Sequence, residues 1–365
     1  MRSDSTITGA RHRFRPIRSS KSRAGSTGSC AIEILRRGLK SLTPDLLAEV
    51  ADALDLSSAA LVEKDYRVVE VLAALQHADL PQGISPVFAG GTCLARAHRL
   101  VARMSEDVDM KVAITPLPSS KSAARKILGT LKDIISKIAM DLGFPEPVIS
   151  AKNENHYIRA ELRYAGSMAE DVDLRPHLLV ELTYAPAALP TVDRSVRSFV
   201  SEATGAEPEI QQITCISVDE TAAEKFVALT RRTAGYLEGR KTDAYDRFLI
   251  RHVYDLHCIL PHLDLPRVST LARQIMVSDA EQFKKWFPAY GADPEAGTEQ
   301  ALAYLMTNSE CRDSFDRFQA SMVYGEHFIY DTAMASVKSL YAAIKETENH
   351  VDKKNDVEPN KKRPK

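Results

Sequence analysis

The sequence predicts an α+β fold made of two parts that meet near residue 217. In the first part, short apolar runs of strand length alternate with segments whose apolar residues recur at helical spacing. Beyond Asp219 the spacing is helical throughout, to about Ala343. With 365 residues, the chain is long enough for a mixed sheet with flanking helices followed by an all-α C-terminal domain.

Charged residues are unevenly distributed along the chain, although the net charge is only −1. Residues 1–40 form a basic arm whose first thirty positions contain a single acid, Asp4, and residues 348–365 form a Lys-rich tail. We expect both ends to be disordered, which leaves a mixed domain at 41–217 and a helical domain at 218–347. The arm either helps to hold a nucleic acid or is a solubilising extension.

The cysteines and the apolar runs exclude several classes of protein. The five cysteines are scattered and contain no CxxC pair, which argues against a zinc site and a disulfide scaffold and favours a reducing cytoplasm. No apolar run approaches the roughly 20 residues of a membrane span. The basic N-terminus lacks the apolar segment of a secretory signal.

Capping residues and apolar spacing place the main elements. Thr43 followed by Pro44 is typical of a helix start, and Ser57 and Ser58 precede a second helix. A long helix is expected after the loop at 116–120. Strands are predicted at 86–89, around 105–109, at 148–150, 157–162, 178–184 and 213–216, and the first helices of the second part at 221–232 and 242–260.

The most informative stretch joins a glycine turn to a strand with two carboxylates. Gly90 and Gly91 have no side chain to block a phosphate, and Thr92 can cap the following helix and donate to a phosphate oxygen. Asp107 and Asp109 project from one face of the next strand, where Mg²⁺ would relieve their repulsion. This order predicts nucleotidyl transfer with two metal ions, against the alternatives of a plain turn and a solvated strand end.

Five short motifs occur in an order that resembles the AbiEii/AbiGii-type nucleotidyltransferase toxins, to which the MenT toxins of toxin–antitoxin systems are related. The motifs are the glycine turn and Ser105–Asp109, together with 63–66, 224–229 and 251–256. The resemblance implies a DNA polymerase β-like nucleotidyltransferase core, Mg²⁺ as cofactor and an NTP as substrate. It further implies an RNA acceptor, notably the 3′ end of tRNA, and a cognate antitoxin.

A core of this kind needs a third carboxylate beside Asp107 and Asp109. Glu181 is the best candidate, since it is an acid inside an otherwise apolar strand, and Asp173 is the reserve. The alternative for Glu181 is an ion pair with a buried Arg or Lys. Ser105 corresponds to the serine of the family's Ser-x-Asp element and either contacts the nucleotide, becomes modified itself or makes a structural hydrogen bond.

Two residues of the helical part complete the predicted site. Lys225 lies beside the apolar face of its helix and can reach a triphosphate, unless it pairs with Glu224 or Asp219. Asp255 either orients Lys225, contacts the nucleotide or pairs with Arg251.

Two further pairs of residues receive no catalytic role. Lys64 and Asp65 match the family but are expected to pack the N-terminal helices onto the core. His252 and His257 are five residues apart, which is wrong for two metal ligands on one helix face.

The main hypothesis is therefore an RNA-modifying nucleotidyltransferase toxin. The alternatives are the same chemistry on a small-molecule hydroxyl, or a catalytically degenerate member that binds nucleotide or RNA. A local basic cluster favours an RNA acceptor. Its members are Arg231, Arg232, Arg240 and Lys241.

Overall fold

The computed structural model describes residues 42–166, 174–239 and 245–355. The predicted basic arm, Asp173, Arg240 and Lys241 lie outside the described residues. The last helix continues to Asn355, so residues 348–355, which we expected in the disordered tail, are helical instead. The remainder of that tail is also outside the described residues.

Two N-terminal helices begin at the capping residues that the sequence indicates. The first helix is α1 (Pro44–Ala53), where the Thr43 side chain accepts a hydrogen bond from the N–H of Leu46. The second is α2 (Ala59–Gln76), where Ser58 accepts from the N–H of Ala60. In each case the cap satisfies an N–H group that has no partner within the helix.

The described residues form a seven-stranded mixed sheet. Its strands are β1 (Ile84–Ala89), β2 (Asp107–Ile114), β3 (Val148–Lys152), β4 (Tyr157–Arg163), β5 (His177–Tyr184), β6 (Val192–Val196) and β7 (Ile210–Cys215). They lie in the order β3-β4-β5-β2-β1-β7-β6. The central strands β1 and β2 are antiparallel, while β2 pairs in parallel with β5 and β1 with β7. The edge strand β6 is not predicted, because its residues are mostly polar and give no apolar run.

Three helical segments accompany the sheet. The glycine turn enters the short α3 (Gly90–Thr92), which passes directly into a π-helical segment (Cys93–Ala97). The long predicted helix is α4 (Lys121–Asp141), whose apolar face packs on the sheet. The remaining one is α5 (Phe199–Thr204), capped by Ser198.

The second part of the described chain is helical, as predicted. One expectation was wrong: instead of one helix over 242–260, a 3₁₀ turn (Arg247–Ile250) precedes a shorter helix, because the Asp246 side chain caps the N–H of Phe248. The helices are α6 (Val218–Leu237), α7 (Arg251–Ile259), α8 (Leu265–Phe283), α9 (Pro288–Ala292), α10 (Pro294–Thr307), α11 (Ser309–Met322) and α12 (Tyr330–Asn355), with a 3₁₀ turn at Leu260–His262.

The α+β expectation is thus confirmed, and two apolar cores hold the fold together. One core lies between the sheet, α2 and α4. The other joins α1 to the C-terminal helices, with Leu47 and Val50 in the same cluster as Phe226 and Val253. The chain changes from strands to helices at residue 218, but its division into two domains stays a prediction. None of the described helices is long and apolar enough to span a bilayer.

Candidate functional site

The two parallel strands β2 and β5 bring three carboxylates to one place. Along β2, Asp107 and Asp109 are partly exposed, whereas Val108 and Met110 between and after them are buried. The parallel register sets Asp109 directly opposite Glu181 of β5. Because residues two apart on a strand share a face, all three acids lie on the same side of the sheet.

The charges around these acids show how strongly they interact. Burial raises the pKa of Asp109 well above its usual range, and the carboxylates of Asp107 and Glu181 raise it further. Arg175 compensates Asp107, with its Nη1 2.5 Å from Asp107 Oδ1. Tyr157 donates its hydroxyl hydrogen bond to Glu181. Three adjacent acids of this kind repel one another unless positive charge lies between them.

The donor chemistry fits a hard divalent cation, but the side chains are engaged with protein partners. Within the described ranges, no group of three or more His, Cys, Asp and Glu residues is arranged to hold a metal ion. Asp107 bonds to Arg175, and Glu181 to Tyr157. The alternative for Glu181 was an ion pair with a buried Arg or Lys. The nearest such contact is long, with Arg159 Nε 3.9 Å from the Glu181 carboxylate, and Arg159 is partly exposed.

The glycine turn approaches these acids so closely that no side chain fits. Gly90 has φ +75°, and a Cβ built on it would lie 1.9 Å from Asp109 Oδ2. A Cβ on Gly91 would lie 2.5 Å from Arg103 Nη2 and 3.0 Å from Ser105 Oγ. The backbone of the turn therefore lies directly against the side chains of Asp109, Arg103 and Ser105, which only glycine permits at these two positions. We call the glycine turn together with these contacts the cradle.

Thr92 does not cap the helix as we expected. The residue before the helix is Ala89, which contributes no side-chain cap. The buried Thr92 hydroxyl instead donates to the carbonyl of Asp107 and lies 2.9 Å from Ser105 Oγ. Thr92, at the end of α3, thus lies against the first residue of β2 and holds both the start of that strand and the Ser105 side chain.

Lys225 and Asp255 are brought together by α6 and α7. Lys225 Nζ lies 2.9 Å from Asp255 Oδ2. Arg103 binds both oxygens of the same carboxylate, at 2.7 Å and 2.8 Å. Burial alone would raise the pKa of Asp255, but the charges of Arg103 and Lys225 hold it below its usual range. Asp255 is therefore an ionised, fully buried anchor for two cations.

The alternative partners considered for these residues pair elsewhere. Glu224 bonds to Lys111 and Asp219 to Arg267, so neither holds Lys225. Arg251 forms no ion pair with Asp255 among the described contacts. Lys225 instead approaches His252 Nδ1 at 3.4 Å, and burial together with the lysine charge lowers the pKa of His252.

The two histidines of α7, His252 and His257, have different partners. His252 faces Lys225, whereas His257 Nδ1 lies 2.7 Å from Ser336 Oγ. The two rings therefore have different partners on different elements, and they do not converge on a common point.

Lys64 and Asp65 act as packing residues, as the sequence predicts. Lys64 is fully buried, pairs with Glu106 at 3.2 Å and donates to the carbonyls of Arg175 and His177. Asp65 binds Arg96 Nε at 2.6 Å and accepts from the N–H that begins α5. Lys64 thereby holds the backbone of Arg175, the residue that contacts Asp107.

The predicted basic cluster is largely neutralised in the described residues. Arg231 pairs with Asp279 at 2.7 Å, and Arg232 pairs with Asp246. The other two members lie outside the described residues. These arginines therefore offer less free positive charge than the sequence indicates.

Three residues of the site are missed by the sequence reasoning. Arg103 lies two positions before Ser105 but belongs to none of the motifs used. Arg175 lies just before β5 and belongs to none of the motifs used in the sequence analysis. Tyr157 begins a predicted strand, and only the pairing of β4 with β5 places it near Glu181.

Comparison with known protein families shows which family the chain belongs to. The family model described as "Nucleotidyl transferase AbiEii toxin, Type IV TA system" matches residues 70–336. The chain belongs to this family. The match contains the glycine turn, the three carboxylates, Lys225 and Asp255. The family confirms the resemblance found in the motifs, and it identifies the protein as a nucleotidyltransferase of the toxin type.

A solved structure has the same fold. MenT4, a nucleotidyltransferase toxin from Mycobacterium tuberculosis H37Rv, superposes with a TM-score of 0.51 at 16% identity, covering 84% of this chain and 90% of that chain. At this identity the likeness establishes the fold alone. No curated protein sequence matches the chain. The roles of individual site residues stay predictions.

Proposed function

We propose that this nucleotidyltransferase uses Mg²⁺ to transfer an NMP from an NTP to an RNA hydroxyl, in the first instance the 3′ end of tRNA. The proposal rests mainly on one relationship: Asp109 lies opposite Glu181 in register and directly beneath Gly90. This joins the cradle of the glycine turn to a cluster of mutually repelling carboxylates. The reaction needs both, since a triphosphate must lie against the residues that hold its metal ions.

Each residue of the cluster has a distinct part in this proposal. Asp107, Asp109 and Glu181 are the residues that would hold Mg²⁺, and two of them bond to Arg175 and Tyr157 in this structure. When bound, Mg²⁺ would supply positive charge against the α-phosphate and the pyrophosphate leaving group. Gly90 and Gly91 admit the triphosphate, and Ser105 stands at the edge of the cradle where it can donate to a phosphate oxygen.

Lys225 is the proposed cationic partner of the triphosphate. Its charge acts on Asp109, which shows that it lies within electrostatic reach of the acids. Asp255 holds its ammonium group in place, while Arg103 shares the same anchor. A lysine fixed in this way needs little reorganisation when negative charge develops on the leaving group.

The transfer itself follows from these positions. The acceptor oxygen forms a bond to the α-phosphorus, and the bond between that phosphorus and the oxygen bridging to the β-phosphate breaks. Pyrophosphate leaves, and the proton of the acceptor hydroxyl passes to water. The family's name as a type IV toxin supports a further proposal, a cognate antitoxin that restrains this activity in the cytoplasm.

Labelling of tRNA tests the proposed function directly. The protein is incubated with MgCl₂, total tRNA and each α-³²P-labelled NTP in turn, beside an Asp107→Asn/Asp109→Asn variant. We expect label on tRNA with the wild type only. Label on the protein instead would indicate modification of Ser105, which a Ser105→Ala variant would abolish. No label on either, from folded protein, would contradict the RNA acceptor.

A further inference from the structure

A basic cavity lies beside Asp107 but outside the cradle and the carboxylate cluster described above. It has a volume of about 240 Å³. Its walls are the 3₁₀ turn at Arg247–Ile250, the segment before β5 and one face of α11. Four arginines line it, together with two aromatic rings, of which Phe318 is buried and Phe248 is exposed. The arginines are Arg175, Arg247, Arg251 and Arg317.

The Phe248 ring is the unusual feature of this cavity. It is 44% exposed, although it is a large apolar side chain. Three guanidinium groups surround it, with their carbons 5.5 Å, 5.4 Å and 4.8 Å from the ring centroid for Arg175, Arg247 and Arg251. An exposed ring among several cations matches a ligand that offers both a flat face and negative charge.

Three arginines of the cavity are not neutralised by a carboxylate among the described residues. In the part of the chain that the structure describes, Arg247, Arg251 and Arg317 make no ion pair with a carboxylate. They differ in this from Arg231 and Arg232, whose charges are matched by aspartates. Guanidinium groups that are not neutralised by acids favour phosphate ligands.

The acid in the cavity wall, Glu106, adds a hydrogen-bond acceptor. One of its oxygens, Oε2, is engaged with Lys64 at 3.2 Å and with the N–H of Arg175 at 2.8 Å. The other, Oε1, is buried and has no hydrogen-bond partner among the described residues. A buried carboxylate oxygen without a donor is costly, and a ribose hydroxyl or a base amino group would satisfy it.

The cavity borders the catalytic acids without sharing the residues predicted to bind the NTP. Arg175 belongs to both places, because it lines the cavity and bonds to Asp107. The glycine turn, Ser105 and Lys225 do not line the cavity. A ligand held here would therefore reach Asp107 from a side that leaves the cradle free for the triphosphate.

We propose that this cavity binds the single-stranded end of the RNA acceptor. The inference rests on the proposed function and names where its second substrate lies. A terminal base stacks on Phe248, while Arg247, Arg251 and Arg317 bind the adjoining phosphates. Glu106 Oε1 accepts a hydrogen bond from the bound nucleotide, and the terminal hydroxyl is directed toward Asp107.

Binding of RNA without NTP tests this placement independently of catalysis. The probe is a fluorescein-labelled single-stranded RNA of ten nucleotides, followed by fluorescence anisotropy. The variants are Phe248→Leu, Phe248→Trp and Arg247→Gln/Arg317→Gln. Arg125→Gln, an exposed arginine on α4, is the control for loss of one positive charge.

We expect Phe248→Leu to weaken RNA binding at least about fivefold, as loss of one base–aromatic stack does. Phe248→Trp should retain it, because an indole offers an equal stacking face. Arg247→Gln/Arg317→Gln should weaken binding and reduce the salt slope by about 2, against about 1 or less for the control. Unchanged binding in both the leucine and the arginine variants would overturn the proposal.

A second measurement separates this proposal from the proposed function. The affinity for a fluorescent NTP with Mg²⁺ is determined for the same variants and should not change. A loss of NTP affinity instead would assign the cavity to the nucleotide and overturn the inference. RNA that binds through Phe248 but is never labelled would support the cavity while contradicting the transfer of NMP to RNA.

Discussion

Arg103 and Asp255 form a buried bidentate ion pair that joins the loop before β2 to helix α7. Their atoms meet at 2.7 Å and 2.8 Å, and both side chains are almost completely excluded from water. Because Lys225 shares the same carboxylate, the pair also fixes the lysine of the proposed site. Asp255 therefore has a structural part and a positioning part, which can be measured separately.

Asp255→Asn should reduce both stability and transfer. The amide keeps the shape of the side chain but leaves two buried cations without a negative partner. We expect the free energy of unfolding to fall by about 3–5 kcal/mol, as for other buried pairs that lose one member. Urea unfolding measures the stability, and the rate of label incorporation at a temperature where the variant is folded measures the transfer.

Asp331→Asn is the matched control for that substitution. Asp331 accepts two hydrogen bonds from Arg312, at 2.8 Å and 3.1 Å, but its side chain is 68% exposed. The control should lose far less stability than Asp255→Asn and keep full activity, since water screens and replaces an exposed pair. Equal losses in the two variants would show that burial of Asp255 does not set its contribution.

Mg²⁺ should stabilise the folded protein if it binds the carboxylates as we propose. A cation that relieves the repulsion among Asp107, Asp109 and Glu181 binds the native state and not the unfolded chain. At a concentration 100 times its Kd, it adds about 2.7 kcal/mol to the free energy of unfolding. Thermal unfolding is measured in EDTA and then in increasing MgCl₂.

The stabilisation should depend on the site and not on total charge. Asp107→Asn/Asp109→Asn should lose the Mg²⁺ response, whereas Glu295→Gln/Glu299→Gln should keep it. The control pair removes the same charge from α10, where both acids contact Lys345. A response of similar size in both double variants would argue against metal binding by the β2 acids.

Glu70 gives a prediction about pH that is independent of the site. It is buried, and burial raises its pKa to about 7 although Arg67 at 3.2 Å opposes the shift. Because the pKa in the folded state exceeds the ordinary glutamate pKa of 4.5, the native state binds more protons than the unfolded chain between these two pH values. The contribution of Glu70 to stability is therefore complete below pH 4.5 and is lost as the pH rises through 7.

Glu70→Gln should remove this dependence, since an amide does not titrate. Its free energy of unfolding should exceed that of the wild type by about 1–3 kcal/mol at pH 8, with a much smaller difference at pH 5. Glu49→Gln, at an exposed position of α1, serves as the control. A difference for Glu70→Gln that is the same at both pH values would contradict the assigned cause.

The fold was largely predictable because its elements carry strong local signals. Thr43 and Ser58 cap helices, and the alternation along β2 reveals which of its residues face the core. The polar edge strand β6 gives no such signal. The 3₁₀ turn before α7 was missed because helical spacing alone does not reveal that Asp246 caps the chain again at Phe248.

The site was predictable only where its residues lie in recognisable motifs. Asp107 and Asp109 share a strand, and their relationship follows from spacing alone. Their engagement with Arg175 depends on the pairing of β2 with β5, which joins residues far apart in the chain. The basic cavity likewise collects residues from three separate segments, so that no local pattern marks it.

Gly90→Ala should abolish nucleotide binding with little effect beyond the site. The new Cβ would lie 1.9 Å from Asp109 Oδ2 and would displace that carboxylate, in addition to straining a backbone at φ +75°. Gly143→Ala supplies the control, because Gly143 has φ +81° but no atom within 4 Å of its built Cβ. The control should lose stability on the order of 1 kcal/mol from the positive φ, and Gly90→Ala should lose more because Asp109 must also move. Only Gly90→Ala should lose affinity for a fluorescent NTP, and retention of that affinity would show that the triphosphate does not lie in the cradle.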